Sequence, residues 1–245
     1  MVAIDLILRE DIQLSLSDEA RSRIVKCREY LDKKLAGSDE PVYGINTGFG
    51  SLYDRRISSR DLGTLQKNLV MSHACGMGEE VPKHLVKLML LIKIQSLSYG
   101  HSGVQLSTVK RLVNFFNHDV LPVVYQQGSL GASGDLVPLA HMSLPLMGLG
   151  EVYFDGKKMP ASEAFIKLNW KPLTLQPKEG LALLNGTQFM GAYGIWCCIE
   201  ADRLLKIADI IGALSLDAFD GRPEAFNSLP LSIRSTLPAV SICPG

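Results

Sequence analysis

Neither sign of charge predominates in this chain: 25 lysines and arginines balance 25 aspartates and glutamates over 245 residues. A formal net charge of zero offers no electrostatic footprint for nucleic acid or for an anionic membrane surface, and neither is expected as a partner. Cysteine is scarce as well. Cys27, Cys75, Cys197, Cys198 and Cys243 form no C-x-x-C pair, and their odd count closes no disulfide framework. Reduced thiols, several of them buried, are expected, and with them a cytoplasmic location. His84, His101, His118 and His141 do not fall at metal-ligand spacing, so no metal is expected and they read as structural or solvated. Met1-Val2-Ala3-Ile4-Asp5 lacks a basic stretch, and Asp5 interrupts its apolar run, which excludes a secretory signal at that point. Long hydrophobic runs are missing too. The nearest is the charge-free stretch from Gly180 to Ile199, about the length of a spanning helix. Asn185, Gly186, Thr187, Gln188, Gly191 and Gly194 interrupt it, so it reads as a helix buried inside a protein.

What is present is mostly helical. Apolar residues make up 47% of the chain, ample for a sizeable core. Ser17 is a good N-cap with Asp18 and Glu19 behind it; Ala20, Ile24, Cys27, Leu31 and Leu35 then recur at helical spacing up to Gly37. Ser59 with Asp61 opens a second helix with Leu62, Leu65 and Leu69 on one face. Pro82 begins a third, carrying Leu85, Leu88, Met89, Ile92 and Gln95. Ser107 opens a fourth that closes near Pro122. Asp135 caps a short fifth, and the longest runs from about Gly186 to Phe219. Strands are few. Asp155-Gly156 between Val152-Tyr153-Phe154 and Lys157-Lys158-Met159 marks a hairpin, and Ile12 and Val42 sit in short extended pieces. There is no internal repeat and no low-complexity linker.

Two segments are unusually rich in glycine: Tyr43-Gly-Ile-Asn-Thr-Gly-Phe-Gly50 and Gly128-Ser-Leu-Gly-Ala-Ser-Gly-Asp135. The second offers specific chemistry at Ala132-Ser133-Gly134. The amide nitrogen of Gly134 can attack the carbonyl carbon of Ala132, because glycine carries no Cβ to block the approach. Loss of one water closes a five-membered ring. Loss of a second, from the Ser133 side chain, leaves an exocyclic alkene. The product is a methylidene-imidazolone, a strong electrophile made without an added cofactor.

The neighbours of that tripeptide carry a resemblance. Gly128-Ser-Leu-Gly-Ala-Ser-Gly-Asp-Leu-Val-Pro-Leu-Ala-His141 resembles the signature of the aromatic amino acid ammonia-lyases, above all their histidine branch. Tyr43 to Gly50 is similar to the family's tyrosine loop. Leu65-Gln-Lys-Asn-Leu-Val-Met-Ser-His73 is similar to its substrate-selecting helix. Glu179-Gly-Leu-Ala-Leu-Leu-Asn-Gly-Thr-Gln188 is similar to its asparagine motif. The resemblance implies roles residue by residue. Ala132, Ser133 and Gly134 form the electrophile, set where helix N-termini converge. Tyr43 removes the substrate β-proton, which requires surroundings that lower a pKa ordinarily near about 10. Asn185 hydrogen-bonds near the electrophile or the substrate carboxylate. His73 selects the substrate: the histidine branch shows Ser-His where tyrosine lyases show His-Leu and phenylalanine lyases Phe-Leu, and here the pair is Ser72-His73. His141 lies within the signature and is placed to orient the loop.

The implied reaction is elimination of ammonia from L-histidine to give trans-urocanate, in a cytoplasmic homotetramer of histidine catabolism whose active sites draw on several subunits. Tyrosine or phenylalanine lyase or aminomutase chemistry is the alternative, and a non-catalytic fragment that only associates is another. Family members are roughly twice as long. Their second half supplies a further tyrosine, an arginine for the carboxylate, a phenylalanine and an acidic or amide residue. Truncation and weak or absent activity alone are therefore expected, with the ring absent or partly formed. The expected fold is mainly α: a small mixed α/β N-terminal region, then the start of a long-helix bundle. Residues 1–110 form the substrate-loop region, 111–220 carry the electrophile and the first long helix, and 221–245 are an atypical tail. After Arg234 a frameshift or foreign sequence is expected.

Overall fold

The computed structural model describes residues 2–226 except 11, 38–39, 49–52, 54, 56, 59 and 130–133. The chain divides between Trp196 and Cys197 into two units. The first begins with helix α1 (Val2–Arg9) and the long α2 (Asp18–Gly37). Ser17 caps α2 as expected, its Oγ accepting the Ala20 amide at 3.2 Å. Next come α3 (Leu62–His73), α4 (Lys83–Ser98), α5 (Leu106–Asn117), α6 (Leu136–Ser143), α7 (Ala161–Leu168) and α8 (Glu179–Leu184), before the 31-residue α9 (Gln188–Ala218) that runs into the second unit. The fold is mainly α, as the periodicity requires.

The strands are short. β4 (Glu151–Phe154) and β5 (Lys157–Pro160) form the expected hairpin, with Asp155 at φ 49° and Gly156 at φ 73°. Two positive φ values at the turn are what a type I′ hairpin needs. β2 (Leu121–Pro122) pairs antiparallel with β4, while β1 (Met77–Glu80) pairs with β3 (Tyr125–Gln127). Helix α5 therefore stops at Asn117, short of Pro122: the chain turns through Asp119 at φ 53° and enters a strand instead. The piece around Ile12 joins no strand. Its neighbour Leu14 is clasped by the Asn117 side chain, which accepts the Leu14 amide at 2.8 Å and donates to its carbonyl at 2.9 Å.

One buried apolar cluster draws on α4, α5 and α6. Leu88, Met89, Leu90, Val109, Leu112, Phe115, Leu139 and Met142 are all wholly buried there. Helix α3 packs against α6 and α8, so three of the four segments that resemble family motifs meet one another. Two further sequence expectations need correction. The charge-free run from Gly180 is two helices, α8 and α9, broken at Asn185-Gly186-Thr187. Among the described residues no helix is long and apolar enough to cross a membrane. Cys27, Cys75, Cys197 and Cys198 are free, but none is buried: Cys27 is half-buried and the other three are exposed. Gln95 is exposed on α4, and the buried polar residue of that helix is Lys93. The atypical tail after Arg234 and the cap residue Ser59 lie outside the described residues.

Candidate active site

Gly134 and Gly186 form an isolated parallel bridge, the point where the signature segment meets the asparagine motif. Across the bridge the Asp135 amide donates to the Gly186 carbonyl at 2.8 Å. In a parallel ladder the bonds flanking one residue come from its neighbours, so this bond does not consume the amide of Gly134 itself. Gly134 has φ 100° and Gly186 φ 144°, both reserved for glycine. A Cβ on Gly134 would run into the main chain of Gly186, backbone that cannot yield. Helices α6 and α9 both start within two residues of the bridge. Helix N-termini carry partial positive charge, and the Asp135 carboxylate meets that of α9 here by accepting the Met190 amide. The expectation that Asp135 caps α6 needs amending. Asp135 occupies the N-cap position without a side-chain bond to α6, and its Oδ2 accepts the Met190 amide of α9 at 3.0 Å.

Asn185 follows α8, exposed, with its Nδ2 donating to the Leu181 carbonyl at 3.0 Å. Side chains from elsewhere hold both ends of α8. At its start the Gly180 amide donates to Gln66 Oε1 of α3 at 2.8 Å. The carboxylate of Glu179, wholly buried, accepts the Gln105 and Gln176 amides and the Thr108 hydroxyl. At its end Lys93, 1% exposed, donates from Nζ to the carbonyls of Ala182 at 2.8 Å and Asn185 at 3.0 Å. Burial lowers the Lys93 pKa to about 7.

His73 is the last residue of α3 and is half-buried. Its Nδ1 lies 2.8 Å from the Leu69 carbonyl, which also takes the Ser72 hydroxyl at 3.0 Å. A carbonyl only accepts, so this bond places the proton on Nδ1 and leaves Nε2 as the acceptor of the neutral ring. Three residues on, the Gly76 amide donates to Nε2 of His141 at 2.9 Å. His141 of α6 thus ties the signature helix to the chain leaving His73. Burial lowers its pKa, in keeping with an acceptor nitrogen.

Tyr43 stands exposed on a turn whose other residues are buried. Asn46 builds that turn: its Oδ1 accepts the Val42 amide at 2.6 Å and its Nδ2 donates to the Glu40 carbonyl at 2.9 Å. The region around Val42 is therefore a turn, not an extended piece. Ala132 and Ser133 lie outside the described residues. Among the described residues no group of His, Cys, Asp and Glu is arranged to hold a metal ion. Sequence reasoning missed Lys93, Gln66 and Glu179; each is a polar residue on a stripe otherwise buried.

Comparison with known proteins agrees with the motifs. The family model for aromatic amino acid lyase matches residues 2–237. The chain is 46% identical over 228 residues to a histidine ammonia-lyase of Symbiobacterium thermophilum, covering 93% of this chain and 45% of that protein. It is 43% identical over 220 residues to one of Myxococcus xanthus, covering 90% and 43%. Among solved structures, histidine ammonia-lyase from Trypanosoma cruzi superposes with a TM-score of 0.87 at 35% identity, covering 96% of this chain and 45% of that one. The chain thus spans a little under half the length of these relatives. It belongs to the aromatic amino acid lyase family.

Proposed function

We propose that this chain is the part of an L-histidine ammonia-lyase that carries the electrophile-forming tripeptide, and that the complete enzyme releases trans-urocanate and ammonia. The observation that carries the substrate is the Leu69–His73 hydrogen bond. With Nδ1 held by Leu69, Nε2 of His73 is an acceptor for an imidazole N–H. A benzene ring offers no such donor and would leave that acceptor unpaired.

Ala132, Ser133 and Gly134 are the residues that would become the methylidene-imidazolone. The described part of that segment fits: Gly134 sits in a cradle against Gly186 that any Cβ would fill. When formed, the ring supplies an electrophile that makes the amino group a better leaving group. The other roles belong to ordinary side chains. Tyr43 takes the β-proton, for which an exposed phenol must be covered in the complete site. Asn185 offers its amide at the end of α8. His73 orients the imidazole. The carboxylate anchor comes from outside the span that this chain shares with its relatives, so the chain alone turns over little or no histidine. The assembly is a cytoplasmic homo-oligomer that takes no metal and binds neither nucleic acid nor membrane.

The test is absorbance of urocanate from histidine, using the chain alone and the chain completed with the second half of a relative, against tyrosine and phenylalanine as competing substrates. Turnover of histidine only by the completed protein is expected. Turnover of phenylalanine or tyrosine in preference to histidine would overturn the substrate. Strong turnover by the 245-residue chain alone would overturn the need for a second half.

A further inference from the structure

Lys93 is chemically out of place. It is 1% exposed, and its ammonium forms no ion pair with any described carboxylate. A buried amine without an opposite charge is unfavourable, and an apolar side chain of similar volume would pack there without that penalty. What faces its Nζ is a pair of main-chain carbonyls, Ala182 and Asn185, at the C-terminal end of α8. Such carbonyls have no partner within their own helix and carry partial negative charge, which suits a cation.

The consequence follows from peptide planarity. The Asn185 carbonyl and the Gly186 amide belong to one trans peptide and point in opposite directions. With the carbonyl directed at Lys93, the Gly186 amide faces away from it. The Gly186 carbonyl faces the same way as that amide and takes the Asp135 amide. One clasp therefore orients the edge against which Gly134 is laid.

We propose that Lys93 is a positioning residue of this site: by holding the Ala182 and Asn185 carbonyls it fixes the Asn185–Gly186 turn, and through it the Gly134–Asp135 segment. The placement stands on these contacts; its consequence for ring closure rests on the lyase reading. Lys93 does not touch substrate. It acts through the peptide it turns.

The test is amide hydrogen exchange of the whole chain in Lys93→Met and Lys93→Arg. Methionine fills the volume but donates nothing; arginine keeps the donors. In Lys93→Met the Asp135 amide should exchange at least about tenfold faster, while α4 and α5 amides keep their protection. Lys93→Arg should lie closer to wild type. Should the methionine variant fail to fold, the arginine variant decides, with the Asp135 amide expected to stay protected. Unchanged Asp135 exchange in a folded Lys93→Met overturns the proposal, and so does uniform loosening of the whole core. Intact mass then separates the two readings. If wild type loses two waters and Lys93→Met does not, positioning and ring closure are linked. If wild type loses none, ring formation in this chain fails while the exchange result still decides Lys93.

Discussion

The Asp135 carboxylate caps a helix that begins more than fifty residues later: its Oδ2 accepts the Met190 amide at 3.0 Å, in the first turn of α9. Its own amide donates to the Gly186 carbonyl. One residue thus ties the signature segment to the chain that enters the long helix, by backbone on one side and by side chain on the other.

Asp135 is 6% exposed, so removing its carboxylate would strand the Met190 amide away from water. Asp135→Ala should lower stability by about 1–2 kcal/mol, the usual cost of losing a helix cap. Asp135→Asn keeps an acceptor and should lose less. Urea unfolding of the three proteins checks this. Equal midpoints for alanine and wild type would contradict it.

Much of this was legible in the sequence, for reasons that can be named. Asp155-Gly156 demanded two positive φ values and has them. The serine before α2 and the period of its apolar residues gave that helix to within a residue. Polar residues inside apolar stripes were not read. Val86, Met89, Leu90 and Leu97 form the buried face of α4, and Lys93 stands on it at helical spacing. Gln66 stands likewise between Leu62 and Leu69 on α3. Each is stabilised by a partner more than eighty residues away, Asn185 for Lys93 and Gly180 for Gln66, which local pattern does not encode. Asp135 misled for a similar reason: a capping residue before α6 is ordinary, and only tertiary packing shows that its carboxylate serves α9. Short elements such as α7 and β2 hold too few residues for a period to show.

His141 makes the structure sensitive to acid. Its Nε2 must be unprotonated to accept the Gly76 amide, and burial lowers its pKa below the ordinary 6.5. The unfolded chain therefore binds this proton more readily than the folded one. The stabilisation is present above about pH 6.5 and is lost as pH falls through the folded value. His141→Gln, which does not titrate, should flatten the dependence of the urea midpoint on pH across that range. An unchanged slope would show that another group sets it.

Helix α9 leaves Leu204, Leu205, Ile207, Ile210, Ile211 and Leu214 exposed. These positions lie on several faces of one helix, and soluble monomers rarely tolerate so large an apolar surface. The chain should self-associate, with mass by light scattering rising with concentration. Leu205→Glu together with Ile211→Glu should shift the distribution toward monomer. A stable wild-type monomer at high concentration would contradict this.

Substrate choice is the last expectation, and it rests on a single ring nitrogen. Leu69 holds Nδ1 of His73 at 2.8 Å, with Ser72 sharing the same carbonyl, so the ring is oriented before any substrate arrives. The acceptor at Nε2 can then meet an imidazole N–H without turning the ring. His73→Leu removes that acceptor and offers an apolar surface in its place. In the chain completed by a relative's second half, an unpaired imidazole N–H should cost histidine about 1–3 kcal/mol of transition-state binding. Phenylalanine and tyrosine make no such bond and should be spared, or gain. The measurement is the ratio of kcat/KM for histidine to that for phenylalanine, which should fall about fivefold or more. Ser72→Ala removes only the shared hydroxyl and should move the ratio far less. A ratio unchanged by His73→Leu would place the selecting group elsewhere, even in an enzyme that still turns over histidine.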